Sequence, residues 1–315
     1  NLIHVNADQF PGLINGGEGE RFKNKYNIGY WSWELSEFPD QWISSFEFCD
    51  EIWTPSQFAL ESISKKSPIP VFRVPHAVEV TDVKPAEKSV FEFRNDEFIF
   101  LSIFDFLSYF ERKNPLGVIN AFQKAFSPND PVRLVIKCAN SVFDPNALNQ
   151  MRTASRGHNI SLIDQYLYRQ EVNGLISICD SYVSLHRSEG FGLTLAEAMF
   201  LGKPVIATGY SGNLDFMNAS NGFLVKYHLT PLQKDVGPYS QGAFWAEPDL
   251  NHAAELMRSV FEDRKKAQKI GEAASRTIKK EFNFHKIGTQ IVDRLRQVSP
   301  QKESQLDHRP VQPQV

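Results

Sequence analysis

The chain has 315 residues, 42% of them apolar and 23% charged, with a formal net charge of -3 at pH 7. That length accommodates two domains of roughly 100–200 residues with ordinary cores. The small net charge argues against nucleic acid as a partner, and no apolar run approaches the roughly 18 residues needed to cross a bilayer.

In chain order, residues 1–5 read as a strand. Gly12, Gly16, Gly17 and Gly19 follow, without the Lys-Ser/Thr of a phosphate cradle, and read as a mobile loop. Residues 26–33 form a second strand with Trp31 and Trp33 on one face, suited to a buried core and, as the alternative, to sugar stacking. A helix is expected over residues 39–48, because Trp42, Ser45, Phe46 and Cys49 share a face. Residues 50–54 are a third strand, Ser56 caps a helix, and residues 71–74 are a fourth strand. This alternation implies a parallel sheet.

Residues 81–97 are charged, contain Pro85 and read as a linker between a domain over residues 1–80 and one over residues 98–284. Residues 98–103 open the second domain as a strand. Asn114 and Pro115 start a helix whose Val118, Ala121, Phe122 and Phe126 are spaced for a buried face. Further strands are expected at residues 132–137, 160–163, 181–185, 202–207 and 222–225, with a helix at 170–178. Two amphipathic helices run from Asn251 to about residue 282, and a last one over residues 285–298. Residues 299–315 are polar and carry three prolines, so disorder is expected there. The basic run from Arg264 to Lys269 reads as a solvated helix face, with peripheral contact to anionic lipid as its alternative. Cys49, Cys138 and Cys179 are far apart, lack metal-ligand spacing and read as buried free thiols of a cytoplasmic protein.

Residues 184–199 hold the densest chemistry. Gly190 and Gly192 bracket Phe191 in a tight turn after a short strand, and a helix over residues 195–201 follows, stopped by Gly202. A strand, a glycine turn and a helix N-terminus together make an anion site, because unpaired N–H groups and the helix dipole converge there. Glu189 and Glu197 frame that site, which suits a ligand with phosphate at one end and hydroxyls at the other: a nucleotide sugar. Thr194 and Glu197 fit a capping box equally well. Glu189 lies where open α/β sheets place ligands, at a strand's C-terminal end. His186, just ahead of the loop, fits a sugar or phosphate contact and a packing role alike, whereas His76 reads as structural. Arg112 and Lys113 precede a helix start, where acidic residues are usual, and Lys113 is placed to offer a point charge to a diphosphate. A solvated pair is the alternative.

Glu189 and Glu197 enclose Gly190, Phe191, Gly192 and Leu193. Gly202, Lys203 and Pro204 follow, then Tyr210, Ser211, Gly212, Asn213, Leu214 and Asp215. Over residues 98–260 this pattern resembles the paired-glutamate motif of the group 1 family of retaining GT-B glycosyltransferases. The resemblance implies an α/β fold of GT-B type, with two Rossmann-like domains facing across a cleft and a last helix that crosses back to the first domain. The family's first domain has more strands, so residues 1–80 are expected to be a partial domain of a longer chain. The implied activity is retaining transfer of a sugar from a nucleotide-sugar donor to a glycan, lipid or other hydroxyl acceptor. Lys113 and Glu189 carry the chemistry in that scheme. Lys113 matches the lysine of an Arg/Lys pair that binds the donor diphosphate. Asp105 stands where the arginine is usual, which leaves Arg112 as its substitute and Ser108 as an added hydroxyl. Glu189 would hold sugar hydroxyls and Glu197 the ribose, while His186, Gly190, Phe191, Gly192, Leu193 and Thr194 line the donor. Trp33 and Glu34 fall on the acceptor side. No metal and no cofactor are expected, because protein cations take the metal's place. Rival readings are a nucleotide-sugar epimerase or phosphorylase on the same scaffold, and a non-catalytic nucleotide-sugar-binding module.

Overall fold

The computed structural model describes residues 1–83 and 93–298. Its first sheet contains β1 (Leu2–Ile3), β2 (Ile28–Tyr30), β3 (Glu51–Thr54) and β4 (Val71–Arg73), parallel and in sequential order. α1 (Phe10–Asn15) lies between β1 and β2, and α2 (Gln57–Ser64) between β3 and β4. Ser56 caps α2 as expected, accepting from the Ala59 N–H at 3.1 Å. The glycine-rich stretch differs from expectation: Gly12 sits inside α1, and a 3-10 turn over Glu18–Arg21 follows. The helix expected over residues 39–48 is a run of 3-10 turns, Asp40–Phe48, that still buries Ser45 and Phe46.

The second sheet is built from β5 (Phe98–Asp105), β6 (Val132–Ala139), β7 (Ile160–Asp164), β8 (Ser181–Ser184), β9 (Val205–Thr208) and β10 (Phe223–Val225). Its order is β10-β9-β8-β5-β6-β7, all parallel. The direction of winding reverses between β5 and β8, and open α/β sheets bind ligands at the crevice outside such a reversal. Helices α3 (Phe110–Lys113), α4 (Pro115–Ala125), α5 (Pro145–Ala154), α6 (Arg169–Ile178) and α7 (Leu193–Phe200) connect these strands. α8 (Leu250–Glu262) and α9 (Arg264–Glu281) complete the domain. Two buried clusters cover the sheet's two faces, one centred on Phe100, Phe122 and Leu134 and the other on Leu101, Tyr182 and Val205.

Helices α3 and α5 are additions to the sequence reading. So is an antiparallel hairpin, β11 (Tyr227–Pro231) with β12 (Phe244–Pro248), between β10 and α8. The last helix, α10 (Phe284–Val298), crosses back to the first domain: Ile291 packs on Ile28, Tyr30, Trp53 and Val74, and Arg294 pairs with Glu51. All three cysteines are buried and none is in a disulfide. Among the described residues no helix is long and apolar enough to cross a membrane. Most of the expected linker, residues 84–92, and the expected disordered tail, residues 299–315, lie outside the described residues.

Candidate active site

The loops leaving β5 and β8 meet at the reversal point. The β5 loop carries Ser108 in a 3-10 turn, then Tyr109, then α3, which ends in Arg112 and Lys113. This revises the helix-start argument: both cations close a short helical turn, at the end where positive charge is favoured. Asn114 adopts φ 51, breaks the helix and caps α4 by accepting from the Gly117 N–H at 3.1 Å. Its side-chain amide also donates to the Leu185 carbonyl at 2.9 Å, which ties the two loops together.

The β8 loop presents Glu189. Lys113 Nζ donates to Glu189 Oε1 at 2.5 Å, and Arg112 Nη1 lies 3.3 Å from Oε2. Arg112 also donates to the Ser188 carbonyl at 2.9 Å. Burial pushes the Glu189 carboxyl up, but Lys113 and then Arg112 overcome it and hold it at about 2. The glutamate is therefore ionised at neutral pH although it is only 7% exposed. Burial lowers the basicity of Arg112 less than Glu34 and Glu189 raise it, so the guanidinium stays charged. Arg112 is buried at 4% exposure, while the Lys113 side chain keeps 19%. Arg112 thus braces Glu189 from beneath, and Lys113 is the cation nearer the cleft.

Gly192 adopts φ 92 and is the N-cap of α7, so the capping box of Thr194 and Glu197 that stood as the alternative is not formed. Leu193 and Thr194 are instead the first two helical residues, whose N–H groups have no intrahelical acceptor. The Glu197 side chain, 1% exposed, turns toward α6 and pairs with Arg169 through Oε1, while Oε2 has no partner in the protein. Burial raises the Glu197 carboxyl, and Arg169 offsets that only in part.

The turn after β9 buttresses the glutamate loop. Glu189 N–H donates to Ser211 Oγ at 2.8 Å, and the Gly212 N–H donates to the Glu189 carbonyl at 3.0 Å. Ser211 adopts φ 75 and ψ -150, a strained region for a non-glycine residue. A Cβ on Gly212 would lie 2.3 Å from the Gly190 carbonyl oxygen, so only glycine fits there.

Three expected ligand contacts take different places. His186 is fully buried: Nδ1 lies 3.0 Å from Ser184 Oγ, and Nε2 lies 3.1 Å from Asn213 Oδ1. Burial lowers its pKa, and the neutral ring is a strut between the two turns rather than a wall of the cleft. Phe191 packs on Phe216 and Phe282 in the second domain's core, leaving its backbone to the site. Trp33 corrects the acceptor-side reading, because its ring is 2% exposed within an aromatic cluster and its Nε1 donates to the Glu37 carbonyl. Glu34 does reach the cleft, where its carbonyl accepts from Ser188 Oγ and its Oε2 from Tyr239 Oη at 3.0 Å.

Residues 83–277 match the family described as Glycosyl transferases group 1. The chain belongs to that family. Trehalose synthases from Thermococcus litoralis and Pyrococcus furiosus are each 25% identical to it over 177 residues, a match covering 54% of this chain and 38% of theirs. The match thus spans well under half the length of those relatives. Among solved structures, Anabaena Alr3699/HepE in complex with UDP and glucose superposes with a TM-score of 0.71 at 14% identity, over 94% of this chain and 78% of that one. Sucrose-phosphate synthase from Thermosynechococcus elongatus superposes with a TM-score of 0.73 at 16% identity, over 94% and 73%. These likenesses establish the GT-B fold. In this glycosyltransferase-family chain, Arg169, Ser211, Asn213 and Tyr239 all touch site residues; the sequence reading had Ser211 and Asn213 only as motif positions without a contact, and missed Arg169 and Tyr239. Only the last had a readable signal, the turn at Gly237 and Pro238 between two alternating apolar segments.

Proposed function

We propose that the protein is a retaining glycosyltransferase that moves a sugar from a nucleoside-diphosphate donor to a hydroxyl acceptor. The observation that carries this reading is Glu189, a buried carboxylate kept ionised between Lys113 and Arg112 beside the N-terminus of α7. As the glycosidic bond breaks, negative charge grows on the departing diphosphate. In this reading Lys113 and the first N–H groups of α7 meet that charge, and such fixed donors favour the transition state over the ground state. Glu189 would accept hydrogen bonds from sugar hydroxyls. Glu197 would take the ribose through Oε2, which is buried and has no partner in the protein.

Retention, the donor's nucleotide character and the acceptor class are inferred from family membership, and the neighbour bound to UDP and glucose supports the donor. The relatives named as trehalose and sucrose-phosphate synthases support a sugar hydroxyl as the acceptor class. The reading also includes donor binding without a divalent metal, since Lys113 and Arg112 supply the charge. A cytoplasmic location fits three buried cysteines outside any disulfide.

The test is a panel of UDP-, GDP- and ADP-sugars with sugar acceptors, run with and without chelator and followed by release of nucleoside diphosphate. Expected is diphosphate release coupled to a new glycoside, unaffected by chelator. An altered nucleotide sugar formed without acceptor would point to an epimerase. Tight donor binding with no turnover on any acceptor would leave a binding module.

A further inference from the structure

The segment between β10 and α8, residues 226–249, belongs by sequence to the second domain yet completes the core of the first. Leu232, Val236, Tyr239 and Trp245 share one buried cluster with Trp31, Trp33 and Phe38. This arm is also fixed to the glutamate loop, because Arg187 pairs with Glu247 at 2.6 Å and the Ala246 N–H donates to the Arg187 carbonyl at 2.9 Å.

Tyr239 is where the arm meets the cations. Its ring centroid lies 5.9 Å from Arg112 Cζ and 5.4 Å from the ring of Tyr109. Tyr109 leads into α3 with φ 65 and ψ 111, a backbone conformation a non-glycine residue holds only when its surroundings enforce it. The arm supplies that enforcement: a Cβ on Gly237 would lie 1.9 Å from the Tyr109 ring, so the ring seats against bare backbone. On its other side Tyr239 donates its hydroxyl to Glu34 Oε2 at 3.0 Å. Burial lowers the basicity of both cations and leaves that of Lys113 below its ordinary value; Glu34 favours their charged forms from across the cleft, yet among the described residues both pair with Glu189 and not with Glu34. A carboxylate bonded to the phenol whose ring packs on Arg112 competes with the oxygen anions of a diphosphate for that charge, and Arg112 Nε has no hydrogen-bond partner in the protein.

We propose that Tyr239 is a positioning residue of the diphosphate site, whose phenol tethers Glu34 and keeps that carboxylate from closing onto Arg112 and Lys113. The first domain and the arm then set how open the cations are to an anion held by the second domain. The inference rests on the reading of the site as a diphosphate cradle, but not on sugar transfer.

The experiment is calorimetric titration of the full chain with inorganic pyrophosphate, using Tyr239→Phe, Glu34→Gln and the double variant, with Lys113→Ala as the site control. Phenylalanine keeps the ring packing and removes only the tether. Tyr239→Phe is expected to weaken pyrophosphate about tenfold, and to change it less than twofold when Glu34 is already glutamine. Such non-additivity marks two groups acting through one interaction. Equal weakening in both backgrounds would show that Tyr239 only packs, and overturn the proposal. So would an unchanged affinity in Tyr239→Phe, or a wild type whose pyrophosphate binding is absent or insensitive to Lys113→Ala. A wild type that binds pyrophosphate at Lys113 but releases no diphosphate from any nucleotide sugar would sink the transferase reading and leave this one standing.

Discussion

Glu189 sets the electrostatics of the site, and its environment fixes the sign of a pH effect. Its carboxyl is held at about 2 against an ordinary 4.5. A depressed carboxyl stabilises the fold fully above the ordinary value and loses that stabilisation as pH falls through the folded one. The window is therefore pH 4.5 down to about 2, and the shift corresponds to on the order of 3 kcal/mol. Glu189→Gln should be less stable than wild type at neutral pH, and the gap between their urea midpoints should close across that window. A gap that stays constant would mean the carboxylate contributes no charge-dependent stability. Lys113→Ala is the complementary change. Arg112 remains on Glu189, so the fold should survive with a modest drop in melting temperature. Turnover should fall on the order of a hundredfold to a thousandfold, about 3–4 kcal/mol, because the lost cation serves developing charge. Donor affinity should change much less. Near-normal turnover by a folded Lys113→Ala protein would remove it from the chemistry. Both residues were singled out in the sequence, Glu189 by its place at a strand end and Lys113 as half of a basic pair before Asn114 and Pro115, although that pair closes α3 rather than opening a helix. Arg169 was not, because only the fold brings the start of α6, 28 residues away in sequence, onto Glu197.

The strands of the second sheet were legible for the same reason that they are stable. β5, β6 and β8 are mostly buried on both faces, and their apolar stretches, residues 98–101, 134–136 and 182–183, stand out between turn signals even though β6 also carries Arg133 and Lys137 and β8 two serines. The arm escaped because its apolar residues serve a core that its own neighbours in sequence do not build. Leu232 and Val236 have no local periodicity to announce that they pack on Trp31 and Trp33. The 3-10 run over Asp40–Phe48 was misread in type, though not in its buried face, since period-three and period-3.6 spacings coincide over so short a stretch. The interlocked turns after β8 and β9 offer a prediction at this scale. Gly212→Ala puts a methyl 2.3 Å from the Gly190 carbonyl, so one backbone must move and carry Glu189 with it. Donor affinity should fall at least about tenfold, since misplacing a site by as little as about 1 Å carries penalties of that order or larger. Far-UV circular dichroism should be unchanged at room temperature. Donor titration beside a melting curve checks this, and unaltered affinity would mean that the two turns move independently.

Besides the linker, the arm, the Asp215 contacts and α10 join the two domains, as does the Ser188 hydroxyl on the Glu34 carbonyl. Asp215 accepts from the Gln57 N–H at the start of α2 and pairs with Arg73 at 2.8 Å, so a second-domain turn caps a first-domain helix. α10 brings Arg294 onto Glu51, which is 0% exposed and also accepts from Trp53 Nε1 at 2.7 Å and Tyr26 Oη at 3.0 Å. Removing one partner of a buried pair leaves an uncompensated charge and costs about 3–5 kcal/mol. Arg294→Ala should therefore destabilise the first domain, while the second keeps its own two buried clusters. The protein carries the means to see this. Of its five tryptophans, four lie in the first domain and the fifth, Trp245, in the arm packed against it. In urea, the fluorescence transition of Arg294→Ala should move to lower denaturant while much of the far-UV circular dichroism change stays where it was. Arg294→Lys should recover part of the loss, by restoring charge without the planar guanidinium that stacks 3.7 Å from the Phe72 ring centre. If both probes shift together in Arg294→Ala, the domains unfold as one unit and α10 is part of a single cooperative structure rather than a brace between two.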